Sequence, residues 1–170
     1  LEQFSQNTSR FINDNYVMNL YESSAGMMWF GLWDGGLGML NLKTNTLHHF
    51  QQIGELSLTA FPNVAFAEKK ESGQTKFFIG TRGNGLLKCS FDPADNSLHL
   101  EQQYHFQAGQ NGCLSNDKIN ALYTDSKGRL WVCTSKGLNL LEDESNTFRV
   151  FTTADGLPNN VVQSIVEDGE

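Results

Sequence analysis

Ile119-Asn120-Ala121-Leu122-Tyr123-Thr124-Asp125-Ser126-Lys127-Gly128-Arg129-Leu130-Trp131-Val132-Cys133-Thr134-Ser135-Lys136-Gly137-Leu138-Asn139-Leu140-Leu141 reads as three short strands separated by two turns. Ile119 to Tyr123 is apolar, Asp125 to Gly128 is a turn cluster, and Leu130 to Thr134 centres on a tryptophan. Ser135 to Gly137 then reverses the chain before Leu138 to Leu141. β-Branched and aromatic side chains fit a pleated strand, whereas Asp, Ser and Gly supply the turn geometries. The turn Glu142 to Asn146 leads into Thr147-Phe148-Arg149-Val150-Phe151, so the unit holds four strands.

The same order occurs twice more. One copy runs from Val17 to Tyr21, through Gly26 to Met28-Trp29-Phe30-Gly31, past Gly35-Gly36 to Leu37–Leu42, and ends near Phe50. The other is degraded: Val64 to Ala67, Phe77 to Thr81, Leu86 to Cys89, and a fourth strand within Leu98 to Phe106. Trp29, Phe78 and Trp131 occupy equivalent places, 49 and 53 residues apart. First-strand residues Val17, Val64, Ile119 and Val162 repeat at comparable intervals. Such spacing fits four-stranded antiparallel units of roughly 40–50 residues repeated radially. No helix-length segment keeps apolar residues at i, i+3, i+4 and i+7, which excludes helical solenoids. A β-sandwich also has short strands at turn-marked spacing, but recurrence of one four-strand order favours a propeller.

The expected fold is therefore all-β, part of a β-propeller. It has about three four-stranded antiparallel blades, at 12–50, 61–106 and 114–153, plus terminal strands of neighbouring blades. Residues 1–11 read as the end of a preceding blade and 157–170 as the start of a following one. The first residue is Leu, with no charged n-region before an apolar run, so the chain reads as a piece of a longer protein. Open blade faces expose apolar surface, so either two copies pair through them as a homodimer or the two termini complete one blade together.

Composition narrows the function. The 170 residues carry 12 basic and 19 acidic side chains, a net charge of −7, with no Lys/Arg cluster along the sequence, which disfavours nucleic acid. The longest apolar run, Met27 to Trp33, is far short of the ~20 residues that cross a bilayer. Cys89, Cys113 and Cys133 form no C-x-x-C and imply neither a disulfide framework nor a zinc site.

Leu114-Ser115-Asn116-Asp117-Lys118-Ile119, Gly128-Arg129-Leu130-Trp131-Val132-Cys133-Thr134 with Gly137-Leu138-Asn139, and Asp155-Gly156-Leu157-Pro158-Asn159-Asn160-Val161-Val162 resemble the two-component-regulator propeller repeat. That repeat is typical of the extracytoplasmic sensor region of hybrid two-component histidine kinases. The resemblance implies a periplasmic, non-enzymatic sensor module joined to further propeller blades, with an oligosaccharide as ligand. Phe78 in place of Trp, and Cys133 where the family usually has Gly, depart from its pattern. A propeller serving only as a protein–protein scaffold is the alternative.

Motifs for catalysis or cofactors are missing. His48-His49 are strand neighbours that point to opposite faces, so they do not chelate one ion. There is no H-E-x-x-H, G-x-S-x-G or Walker A. Asp92-Pro93-Ala94-Asp95-Asn96 lacks the glycine and glutamate of a calcium loop and reads as a hairpin turn. No catalytic residue, metal or cofactor is expected. The ligand candidates are Trp33, Asp34, Arg82, Asn84 and Lys136, on loops that a propeller gathers at one rim. An aromatic face with hydrogen-bonding neighbours suits a sugar, whose C–H faces stack while its hydroxyls need partners.

Overall fold

The computed structural model describes residues 16–33 and 36–168. Three antiparallel four-stranded sheets follow one another along the chain. The first contains β1 (Val17–Glu22), β2 (Met27–Leu32), β3 (Leu37–Asn41) and β4 (Thr46–Phe50). A small hairpin follows, β5 (Gln52–Ile53) with β6 (Leu56–Ser57). The second sheet contains β7 (Asn63–Glu71), β8 (Gln74–Thr81), β9 (Leu86–Asp92) and β10 (Ser97–Tyr104). The third contains β11 (Ile119–Thr124), β12 (Leu130–Thr134), β13 (Gly137–Glu142) and β14 (Thr147–Phe151), after which a single 3₁₀ turn covers Thr153–Asp155. Each sheet is a plain meander, its strands in chain order from the innermost to the outermost. This is the all-β, propeller-type arrangement of blades.

Turn chemistry sets the meander. The turn between the last two strands of each sheet carries an asparagine with positive φ, at Asn45, Asn96 and Asn146, a residue type that tolerates the left-handed region. Asp92 closes its own turn by accepting from the Ala94 amide at 2.8 Å, so this stretch is the hairpin expected of it. Register corrects one equivalence. A bulge in each innermost strand pairs Val17 with Leu32, Asn63 with Thr81 and Ile119 with Thr134. The residue equivalent to Val17 and Ile119 is thus Asn63, not Val64. Val64 is the unpaired residue of its bulge, as Met18 and Asn120 are of theirs.

Two apolar seams join the sheets. Met27, Trp29, Leu37 and Met39 of the first meet Phe66, Phe77, Ile79, Leu87, Cys89 and Leu98 of the second. Ile53 and Leu58, on and beside the extra hairpin, fill the outer part of that seam. Ala65, Ala67, Phe78, Leu86 and Tyr104 then meet Leu114, Ile119, Leu130, Val132, Leu141 and Phe148. Blade 2 is covered on both faces.

The equivalent residues Trp29, Phe78 and Trp131 each lie on the face turned toward the following blade. Trp29 and Phe78 are fully buried there, but Trp131 is only half-buried, as no sheet among the described residues packs on that face of blade 3. It is a core residue in kind, not yet in burial.

Residues 161–168 form no assigned strand, yet they lie beside β11. The Val162 amide donates to Thr134 O at 3.0 Å, Asn120 Nδ2 donates to Val162 O, and the Ser126 amide donates to Glu167 Oε2. Blades 1 and 2 are tied by similar bonds, from Asn19 Nδ2 to Val64 O and from the Ser24 amide to Glu68 Oε2. The stretch 1–11, expected to end a preceding blade, lies outside the described residues.

Candidate functional site

The meander brings two kinds of loop to one rim: the β2–β3, β8–β9 and β12–β13 turns, and the connections between blades. Backbone bonds repeat there. Trp33 N donates to Tyr16 O, Arg82 N to Pro62 O and Ser135 N to Lys118 O, at 3.0–3.1 Å. Trp33, Arg82 and Ser135 are therefore equivalent positions, each hydrogen-bonded to the residue just before the innermost strand.

A threonine presets two of the loops. Thr81 Oγ1 donates to Gly85 O at 2.9 Å and accepts from the Asn84 amide at 2.8 Å. Thr134 Oγ1 donates to Gly137 O at 2.9 Å and accepts from the Lys136 amide at 3.0 Å. Gly85 has φ of 69°, and a Cβ there would lie 2.0 Å from Tyr104 O, so only glycine closes this loop. The sequence carries the signal as Thr81 to Gly85 and Thr134 to Gly137, a threonine followed by a glycine-closed turn. Blade 1 has Leu32 at that position and lacks the device.

Arg82 and Asn84 share one loop, and Lys136 lies on the corresponding loop of blade 3, so these three gather at the junction of blades 2 and 3. Trp33 stands a blade away with 45% of its surface exposed. Asp34 lies outside the described residues. Three residues that sequence reasoning passed over complete the rim. Phe61 and Phe106, on the two connections between blades, are each 40% exposed. Phe61 lies on Gly83, where a Cβ would sit 2.7 Å from the ring. Phe106 lies under the Lys136 ammonium, 5.6 Å from the ring centroid. Lys118, the third, pairs with Arg82 across an isolated antiparallel bridge. These are cross-blade partners far apart in sequence, and no local pattern marks them.

The opposite rim carries a polar cleft of about 350 Å³ lined by Lys70, Glu71, Lys88, Gln102, Asp143 and Asn146. Its charges largely satisfy one another. Lys88 pairs with Glu71, Lys69 donates to Asp143 at 2.6 Å, and Tyr104 Oη donates to Asn146 Oδ1 at 2.6 Å. Burial, with the negative charge of Glu71 adding to it, pushes the Tyr104 phenol up to about 12. Burial likewise raises the Cys89 thiol to about 12 and Cys133 to about 11. Both are protonated, packed side chains, not nucleophiles. Among the described residues no group of three His, Cys, Asp or Glu side chains is placed to hold a metal ion, and no helix is long and apolar enough to cross a membrane.

Comparison with known proteins places this geometry. The family described as "Two component regulator propeller" matches residues 113–136, which cover β11, β12 and the Thr134 loop. Histidine kinase P4 of Formosa agariphila is 25% identical over 137 residues, which is 81% of this chain and 9% of that protein. Among solved structures, the extracellular domain assigned to a one-component system of B. thetaiotaomicron superposes with a TM-score of 0.69 at 16% identity, covering 98% of this chain and 21% of that one. The extracellular domain assigned to a hybrid two-component system of the same organism gives 0.51 at 22% identity, covering 92% and 25%. The chain thus spans at most a quarter of the length of these relatives. Within it, residues 113–136 match the two-component regulator propeller repeat.

Proposed function

We propose that the chain is a non-enzymatic, extracytoplasmic sensor module of a hybrid two-component histidine kinase, and that it detects glycan fragments at the rim bearing Trp33, Arg82, Asn84 and Lys136. The observation that carries this reading is the rim itself, in a chain bearing the regulator repeat. Exposed aromatic rings at positions 61 and 106 sit beside loops whose backbones are fixed by Thr81 and Thr134, and Trp33 is exposed on the blade 1 loop, which lacks that threonine. Exposed rings held on rigid loops stack on sugar faces without a large ordering cost. A ligand bound there acts by favouring one packing of a dimeric receptor over another.

The test is calorimetric titration of the full chain with a saccharide panel, read in parallel by tryptophan fluorescence. Trp33→Ala and Arg82→Ala are each expected to weaken binding about 10-fold, equivalent to ~1.4 kcal/mol. A saccharide affinity unchanged in both variants overturns the assignment.

A further inference from the structure

Among the described residues, four of the eleven Lys and Arg side chains pair with a carboxylate and seven do not. Lys69, Lys76, Lys88 and Arg129 each pair with a carboxylate. Of the other seven, Arg82, Lys118 and Lys136 lie on the loops where blades 2 and 3 join. Arg82 and Lys118 stand directly opposite each other in an antiparallel bridge. Opposed residues of such a pair project to the same side with Cβ atoms ~5 Å apart, and like charges placed so repel. Lys118 O also accepts the Ser135 amide at 3.1 Å, which brings Lys136 to the same place.

Two details sharpen this. Arg82 Nε is shut away from solvent and has no hydrogen-bond acceptor, although a buried donor left unpaired is costly. The nearby carboxylate is otherwise engaged: Asp117 Oδ1 accepts the Phe106 amide at 2.6 Å and lies 3.6 Å from His105 Nδ1. Arg82, with its orphaned guanidinium donor, and Lys118 thus stand opposite each other, with Lys136 on the adjoining loop, and neither forms an ion pair with Asp117.

We infer that the ligand recognised at this junction is an anion, a carboxylate- or sulfate-bearing saccharide whose acidic group lies between Arg82 and Lys118, with Lys136 and Phe106 beside it. This rests on the glycan reading above and narrows it to acidic sugars. A planar guanidinium suits the two-oxygen face of a carboxylate or sulfate, and the lysines add point charge.

The experiment titrates the full chain with trigalacturonic acid, with its neutral methyl ester, with galactose 6-sulfate and with galactose, and separately with sodium sulfate against sodium chloride at matched ionic strength. An acidic saccharide is expected to bind at least 10-fold more tightly than its neutral partner, and which one binds distinguishes carboxylate from sulfate ester. Lys118→Gln and Arg82→Gln are expected to remove that preference and to abolish the extra thermal stabilisation by sulfate. Lys118 is exposed, so its variant folds. Without ligand at low salt, relief of repulsion is expected to leave the melting temperature of Lys118→Gln unchanged or ~1–3 °C higher.

Sulfate stabilisation lost in the variants, with no saccharide bound, supports the anion site while overturning the glycan reading. Neutral and acidic sugars bound alike, unaffected by Lys118→Gln, overturn the anion site while the glycan reading stands. A Lys118→Gln protein that melts lower, with sulfate dependence intact, overturns it as well.

Discussion

The Asp125 carboxylate accepts four hydrogen bonds from within six residues: the Lys127 amide at 3.0 Å, the Arg129 amide at 2.9 Å, Arg129 Nε at 2.6 Å and Trp131 Nε1 at 2.9 Å. It closes the β11–β12 turn and aims the Trp131 ring, over which the Arg129 guanidinium lies at 5.4 Å. Burial opposes the charge on Asp125, but the donors from Trp131 and Arg129 outweigh it and hold its pKa down, from 3.8 to about 2. A carboxyl lowered by folding stabilises the native state at pH values above 3.8, and that contribution disappears as the pH falls through about 2. Asp125→Ala is expected to destabilise the fold by ~2–3 kcal/mol at neutral pH, since charge-assisted bonds are lost and Trp131 Nε1 loses its acceptor. Urea unfolding from pH 6 to 2 checks this. The gap between wild type and variant should narrow below pH 4, and a gap that stays constant to pH 2 would show that the carboxylate charge contributes nothing.

Strand by strand, equivalent sequence meets unequal surroundings. Trp29 packs against Phe77 at 4.6 Å, Phe91 at 5.1 Å and Phe50 at 5.8 Å between ring centroids, all inside the first seam. Trp131 has Phe151 at 5.9 Å and otherwise faces outward from blade 3. Trp29→Ala should therefore cost ~3–5 kcal/mol, as large aromatic truncations in cores do, and Trp131→Ala clearly less. Equal losses in denaturant melts would mean that Trp131 is as well covered as Trp29. The contrast also marks what the sequence can reveal. Strand order, turn positions and the faces of Trp29, Phe78 and Trp131 follow from alternation and turn residues, which are local. The Arg82–Lys118 bridge is not local. It depends on which residue a neighbouring blade presents, so the rim loops were legible as loops while Phe106 and Lys118 were not legible as their partners.

At the scale of the whole molecule, the blades touch only their neighbours, as in other repeat architectures, and local stability should follow the number of covered faces. Blade 2 is sealed on both sides by the two seams. Blade 1 buries one face against it and holds Phe30 and Leu32 buried on the other, yet Val17 and Leu20 of its innermost strand remain 50% and 62% exposed. Blade 3 also has one sealed face, with residues 161–168 held over the inner part of the other by Val162 and Glu167. Amide hydrogen exchange should accordingly be slowest in β8 and β9, intermediate in β12 and β13, and fastest in β1. Glu167→Ala tests the ordering further. Removing both carboxylate contacts to Ser126 should speed exchange at the β11–β12 turn while leaving β8 unchanged, because nearest-neighbour coupling does not carry the loss through the second seam. Uniform protection across the three sheets, or a β8 that exchanges faster in Glu167→Ala, would show instead that the blades open as one cooperative unit, and the step from open faces to local stability would fail.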